Sequence, residues 1–197
     1  ITLALSPHSP NLKETSKKAR DKHHEILIIL PFESNGYSKE NPELKRLSTK
    51  QTDEQNLEIF NWIIAQSNSF VGLVNTTGEK LSEHEKSLDL LIKGLNEKKI
   101  PYIEEVSKQE SKVLPHKITA PYHFIDIQIP QNVSQEEMNI AFKNALSLAK
   151  SKGHVTITLK SGPFVLKKLI ELDEQLKSQG ILLAPISHAL LKKKEQK

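Results

Sequence analysis

Residues 1–30 read ITLALSPHSPNLKETSKKARDKHHEILIIL, and this stretch decides the fold. A short apolar run at 1–5 is followed by a polar segment with helical periodicity, and a second run of branched apolar residues follows at 25–30. Two such runs joined by a helix are typical of a βαβ unit, in which both strands lie parallel in one sheet. The opening of the chain therefore predicts an α/β fold.

The same alternation continues along the chain. Capping boxes at Thr52, Ser82 and Ser134 predict helix starts, because the first side chain and the acid or amide three residues later satisfy each other's free backbone amides. Pro163 suits the first turn of a further helix, and Gly153 and Gly180 suit helix ends. The strand-like runs, seven in all, are residues 1–5, 25–30, 70–75, 100–104, 123–127, 154–159 and 181–184.

The chain has 197 residues, of which 37% are hydrophobic, and this predicts one globular domain over residues 1–197. Residues 32–52 form a long connection without apolar periodicity, which predicts either a functional lid or a disordered surface loop. Residues 189–197 end in a lysine-rich run and predict a solvated, charged C-terminal tail. The chain begins directly on strand-like residues, so we expect an opening βα unit, a signal peptide or an anchor upstream of Ile1.

Composition excludes several classes of function. The sequence contains no cysteine, which excludes disulfides, thiolate metal sites and cysteine nucleophiles. The net charge is +4, but only two of the basic residues are arginine and 5% of the chain is aromatic, so no nucleic-acid partner is expected. No apolar run approaches the roughly 18 residues that a membrane-spanning helix requires. Phosphate-binding glycine loops and the nucleophile-elbow motif are also absent from the sequence.

Polar residues follow most of the predicted strands. In parallel α/β folds the carboxyl ends of the strands meet at one edge, where function is concentrated. Histidine and carboxylate groups at such an edge can hold a metal or transfer protons. Trp62 lies in an amphipathic segment, which favours core packing over a sugar-stacking platform. The residues expected at this edge include His8, Glu33, Asn75, Thr76, Glu104, Glu105, Asp126, Lys160 and Ser187.

Several sequence blocks resemble the divergent polysaccharide deacetylase family, in the same order along the chain. Residues 1–10 (ITLALSPHSP) resemble the family's TLAFSPYAP, and residues 24–33 (HEILIILPFE) resemble HEVLLQLPMEP. Residues 71–82 (VGLVNTTGEKLS) resemble GVNNHMGSRLT, and residues 153–187 contain counterparts of GHAIAIGHPYPETL and GIVLVPVS. The resemblance therefore covers nearly the whole chain.

The resemblance implies a deformed (β/α) barrel of about seven mainly parallel strands in a bacterial envelope protein. In active relatives an aspartate and a pair of histidines hold zinc, which activates water to attack an N-acetyl group. Here the aspartate motif belongs upstream of Ile1, and Thr76 and Lys160 stand where the family has its histidines. Because a lysine cation repels a divalent metal, no metal ligand and no cofactor are expected. We expect Lys160 to pair with Asp126 or Glu104 instead.

The resulting hypothesis is a deacetylase-like protein of the periplasm or cell envelope that acts on or binds N-acetylated glycan or peptidoglycan, with reduced or lost metal-dependent hydrolysis. Two alternatives stay open: a catalytically silent glycan-binding or interaction barrel, and an unrelated cytoplasmic α/β enzyme. The residues assigned to catalysis are Glu33, Glu104 and Asp126. Those assigned to substrate binding are Asn75, Thr76, Lys160, Ser187 and His8.

Overall fold

The computed structural model describes residues 1–33, 44–75, 85–105, 111 and 117–192, in which strands and helices alternate. The strands are β1 (Thr2–Leu5), β2 (Glu25–Ile29), β3 (Gly72–Asn75), β4 (Tyr102–Glu104), β5 (Tyr122–Phe124), β6 (Ile127–Ile129) and β7 (Ile157–Leu159). The helices are α1 (Leu12–Asp21), α2 (Asp53–Ala65), α3 (Glu85–Lys98), α4 (Gln135–Lys152), α5 (Pro163–Ser178) and α6 (Ile186–Lys192).

Every strand pair in the described part of the chain is parallel. β1 to β5 form a five-stranded sheet in chain order, and β6 pairs with β7 in a second sheet. The two sheets meet where β5 runs into β6: the Ile125 amide donates to the Glu104 carbonyl, and the next two amides donate to the Thr156 carbonyl. The predicted α/β class with parallel strands is confirmed.

Two predicted strands differ from the structure. The run 123–127 is divided into β5 and β6, because the chain changes its hydrogen-bonding partner from β4 to β7 at Asp126. The prediction of a strand at 181–184 is wrong. This segment pairs with no strand: it leaves α5 through a hydrogen bond from the Ile181 amide to the Leu176 carbonyl, and Leu182 is 75% exposed.

Both faces of the five-stranded sheet are buried, which explains why its strands are almost continuously apolar. On one face, alternate strand residues such as Ile26 and Ile28 pack with α1, α2 and α3. On the other face, Leu27 and Ile103 pack against α6 through Ile186 and Leu190. A third core joins α4 and α5 to β6 and β7. No helix in the described ranges is long and apolar enough to cross a membrane.

The predicted helix signals have their expected geometry wherever the structure describes them. Thr52 and Ser134 both form complete capping boxes at the starts of α2 and α4. Gly153 and Gly180 adopt left-handed φ values of 79° and 71°, which side chains with a Cβ atom disfavour. The third predicted capping residue, Ser82, lies outside the described residues.

Gly72 allows β3 to lie close to the chain entering β4. A Cβ atom at Gly72 would lie 2.8 Å from the Pro101 carbonyl oxygen, which is backbone and cannot rotate away. We therefore expect Gly72→Ala to lower the free energy of unfolding by about 1–3 kcal/mol, the usual cost of overpacking. Urea unfolding measures this change. Gly162→Ala is the control, because a Cβ atom there meets no atom of the described residues within 4 Å, and equal losses in both variants would contradict the expectation.

Candidate functional site

Asn75 and Glu104 lie side by side at the carboxyl edge of the five-stranded sheet. They are register partners at the ends of β3 and β4, and the Glu105 amide donates to the Asn75 carbonyl at 3.1 Å. Both side chains are buried, at 8% and 2% exposure. Two of the predicted site residues are therefore adjacent.

Glu104 is the centre of a buried hydrogen-bond network. One oxygen of its carboxylate accepts a hydrogen bond from the Ser111 hydroxyl at 2.7 Å and another from the Tyr122 hydroxyl. Burial raises the pKa of Glu104, and the hydrogen bonds from Tyr122 and Ser111 oppose that rise. The carboxyl group therefore holds a proton more readily than an exposed glutamate does, while Tyr122 keeps its own hydroxyl proton and donates it to Glu104 in a hydrogen bond.

The network extends to Tyr102 at the start of β4. The Tyr102 ring stacks on Tyr122 with 5.8 Å between ring centroids. Burial and the nearby Glu104 charge raise the pKa of the Tyr102 hydroxyl, while interaction with the Asn75 side chain lowers it. Asn75 and Glu104 thus both contribute to a packed polar layer that Tyr102 and Tyr122 complete.

Lys160 pairs with Glu105 rather than with Glu104 or Asp126, so the predicted partner is wrong. The Lys160 Nζ atom lies 3.8 Å from the Glu105 Oε2 atom, and the two side chains are 50% and 9% exposed. Successive residues along a strand point to opposite faces. Glu104 points to the face of Tyr102 and Tyr122, which leaves Glu105 to meet Lys160 at the end of β7.

Asp126 connects the two sheets. Its Oδ2 atom accepts a hydrogen bond of 2.8 Å from the Thr156 amide, and its Oδ1 atom lies 3.7 Å from the Lys152 ammonium group. The Thr156 hydroxyl in turn lies 2.7 Å from the His123 Nε2 atom. Asp126 therefore holds β7 in place where the chain passes from β5 into β6.

Glu33 is buried, at 2% exposure, beyond the end of β2. It accepts hydrogen bonds from the Ser48 hydroxyl at 2.6 Å and the Thr49 hydroxyl at 3.3 Å, and its Oε1 atom lies 3.6 Å from the Lys50 ammonium group. Backbone hydrogen bonds join the same two segments, from the Glu33 amide to the Leu47 carbonyl and from the Leu47 amide to the Pro31 carbonyl. Glu33 thus anchors residues 47–50 at this edge.

Ser187 and His8, which were also predicted at this edge, make other contacts. The Ser187 amide donates to the Glu25 carboxylate at 3.0 Å and the Ile186 amide donates to the Thr2 hydroxyl at 2.9 Å. Thr2 and Glu25 are the first residues of β1 and β2, so Ser187 lies at the amino edge, not at the predicted carboxyl edge. The reason is that residues 181–184 form no strand. His8 packs its ring against Trp62, and Thr76 lies outside the described residues.

Sequence reasoning placed Glu105 at the carboxyl edge but did not predict its ion pair with Lys160. The signal that could have found it is strand alternation: Ile103 faces α6, and Glu105, two residues later, continues that face. Within the part of the chain that the structure describes, no three His, Cys, Asp or Glu side chains are grouped so as to hold a metal ion.

Comparison with protein families matches residues 1–190 to the family described as "Divergent polysaccharide deacetylase". A similar solved structure is that of the uncharacterized protein ATU2773 from Agrobacterium tumefaciens C58, with a TM-score of 0.87 and 18% sequence identity. The superposition covers 96% of this chain and 78% of that chain, and at this identity it supports the fold alone. No curated protein matches the chain.

Proposed function

Because the chain belongs to the divergent polysaccharide deacetylase family, we propose that it binds an N-acetylated glycan, a chitooligosaccharide or peptidoglycan fragment, without metal-dependent hydrolysis. The proposed site is the carboxyl edge of the sheet around Asn75, Glu105 and Lys160. The family match over residues 1–190 makes the alternative of an unrelated α/β enzyme wrong. The location in the periplasm or envelope and closure into a deformed barrel are parts of the same proposal.

The observation that carries the proposal is the Lys160 and Glu105 ion pair. Lys160 stands where the family resemblance places a metal-binding histidine, and its ammonium group lies 3.8 Å from a carboxylate that is 9% exposed. A fixed positive charge beside the Glu105 carboxylate repels a divalent cation and neutralises the carboxylate in its place. The residues present therefore do not fit the zinc site of active relatives.

The other contacts at this edge also support binding rather than metal chemistry. Glu33 is engaged by Ser48, Thr49 and Lys50, and Glu104 by Ser111 and Tyr122. The Lys50 and Lys160 side chains are 75% and 50% exposed, so their ammonium groups are accessible to a ligand. Exposed ammonium donors suit the hydroxyl and carbonyl oxygens of a sugar, which is bound through directional hydrogen bonds.

Calorimetry with N-acetylated chitooligosaccharides and soluble peptidoglycan fragments tests this function. We expect binding that a metal chelator does not change and that Lys160→Ala weakens at least about tenfold, equivalent to roughly 1.4 kcal/mol. Lys177→Ala is the matched control, because it removes an ion pair with Asp173 on α5, and its affinity should equal that of the wild type. Acetate release from the same sugars should stay at background.

Three results would contradict the proposal. One is that neither glycan binds, and another is that Lys160→Ala binds as tightly as the wild type. The third is stoichiometric zinc together with acetate release that Glu33→Ala or Asp126→Ala abolishes, which would assign those carboxylates to catalysis.

A further inference from the structure

The Trp62 ring is contacted by two basic side chains. The His8 ring lies 5.1 Å from it between centroids, with 39° between the ring planes. The Lys45 Nζ atom lies 5.1 Å from the centroid of the same ring, within the range of a cation–π interaction. Trp62 comes from α2, His8 from the turn after β1, and Lys45 from the segment that leads to Leu47. We call His8, Lys45 and Trp62 the Trp62 latch.

The surroundings of His8 in the Trp62 latch favour its neutral form over its protonated form. Its Nε2 atom is buried and has no hydrogen-bond partner in the described residues. Protonation at Nε2 would create a buried charged donor without an acceptor, which is costly.

The charged and polar neighbours of His8 favour the same form. Burial is the main cause that lowers the pKa of His8, and the Arg46 guanidinium lowers it further, while the Lys45 backbone raises it. Arg46 and Lys45 face the imidazole from the segment before Leu47, and α2 contributes the uncharged Trp62. Together, burial and the Arg46 charge outweigh the effect of the Lys45 backbone and keep the His8 ring neutral at neutral pH.

The Trp62 latch is directly connected to the anchor of Glu33. Lys45 and Arg46 are followed at once by Leu47 and Ser48, which make the backbone and hydroxyl contacts to residues 31–33. The Ser48 amide and carbonyl are also hydrogen-bonded to the Asn56 side chain on α2, the helix that carries Trp62. A displacement of Lys45 therefore acts on the contacts of Glu33.

We propose that the Trp62 latch is an acid-sensitive switch: protonation of His8 separates its ring from Trp62, displaces Lys45 and loosens residues 44–48 at the carboxyl edge. The direction of the pH effect follows because the folded arrangement favours neutral His8. A histidine whose folded pKa is depressed stabilises the folded arrangement above its ordinary value of about 6.5, and this stabilisation is lost as the pH falls through the lowered pKa. This inference concerns the free protein and does not depend on the proposed glycan.

The chain contains one tryptophan, so its fluorescence reports on the Trp62 latch alone. We expect a change in the emission intensity of the wild-type protein with a midpoint below pH 6.5, because loss of the His8 and Lys45 contacts changes the surroundings of the indole ring. His8→Gln should remove the transition. His188→Gln, on α6, is the control and should titrate as the wild type does. A flat wild-type titration, or an unchanged transition in His8→Gln, would overturn the proposal.

A second measurement needs no variant. The Leu47 amide donates to the Pro31 carbonyl, so its hydrogen exchange reports whether residues 44–48 stay docked. After correction for the intrinsic pH dependence of exchange, its protection should fall at least about tenfold between pH 7.5 and pH 5. The Leu73 amide, which donates to the Pro101 carbonyl inside the sheet, should stay protected. Equal protection of Leu47 at both pH values would overturn the switch even if Trp62 fluorescence changed.

Discussion

Glu33→Ala is expected to lower the free energy of unfolding by about 3 kcal/mol, which is large for a single polar residue. The carboxylate is 2% exposed and accepts a hydrogen bond of 2.6 Å from Ser48. Alanine would leave the buried Ser48 hydroxyl without this acceptor, remove the contact with Thr49 and remove the charge beside Lys50. Chemical unfolding monitored by circular dichroism measures the loss.

Two comparisons make this prediction specific to the buried anchor. Glu33→Gln keeps an oxygen that accepts from Ser48 and should lose less stability than the alanine variant, since only the charge is removed. Glu14→Ala removes an ion pair with Lys18 whose side chains are 64% and 75% exposed, and it should change stability little. If Glu33→Ala were as stable as Glu14→Ala, Glu33 would not anchor residues 47–50.

The same result bears on the assignment of Glu33 to catalysis. A carboxylate whose oxygens are already engaged by Ser48, Thr49 and Lys50 is a poor candidate for a base that must reach a substrate. A large loss of stability would support the anchoring role. A stable variant that loses acetate release would instead support catalysis.

The parallel strands and the helix ends could be predicted from the sequence because their causes are local. The branched apolar run at β2 is buried on both faces, and the capping boxes at Thr52 and Ser134 use residues only three positions apart. The left-handed glycines Gly153 and Gly180 depend only on the conformation at one residue. Signals of this kind do not depend on which strands become neighbours.

The sequence-based predictions that failed concern contacts between segments distant in sequence. The exchange of partners at Asp126 depends on Thr156, thirty residues later, and residues 181–184 are apolar enough for a strand but pair with no strand. The position of Ser187 follows from that second error. To predict that Lys160 pairs with Glu105, one must know to which face of the sheet each side chain points. The alternation of side chains along a strand gives that face only once the end of the strand is known.

The second large effect is expected on the affinity of the protein for zinc. If Thr76 and Lys160 replace the histidines of active relatives, Thr76→His with Lys160→His should raise zinc affinity at least about a hundredfold, since each restored imidazole replaces a weak or repulsive group. The structure adds a reason: removing the ammonium group leaves the Glu105 carboxylate, now 3.8 Å from Lys160, available as a further oxygen ligand. Competition with a chromogenic chelator measures the affinity.

The two replacements differ in their physical effect, because one removes a repulsive charge and the other adds a ligand. Single variants separate the two effects. Lys160→Ala removes only the repulsion and should raise zinc affinity slightly, whereas Thr76→His with Lys160 retained should stay weak because the cation remains. Lys177→His beside Asp173 is the matched control. It also places an imidazole next to a carboxylate, but on α5 and not at the proposed site.

The affinity of the double variant should also fall as the pH falls below about 6.5, because histidine binds a metal only when neutral. Such a dependence would separate imidazole ligation from binding by carboxylates alone, which lose their charge at lower pH. A double variant that binds zinc no better than the Lys177→His control would mean that Lys160 and Thr76 do not occupy the metal-binding positions. The ion pair with Glu105 would then have to be explained as a stabilising contact between β4 and β7, and the glycan site would have to be sought elsewhere on the carboxyl edge.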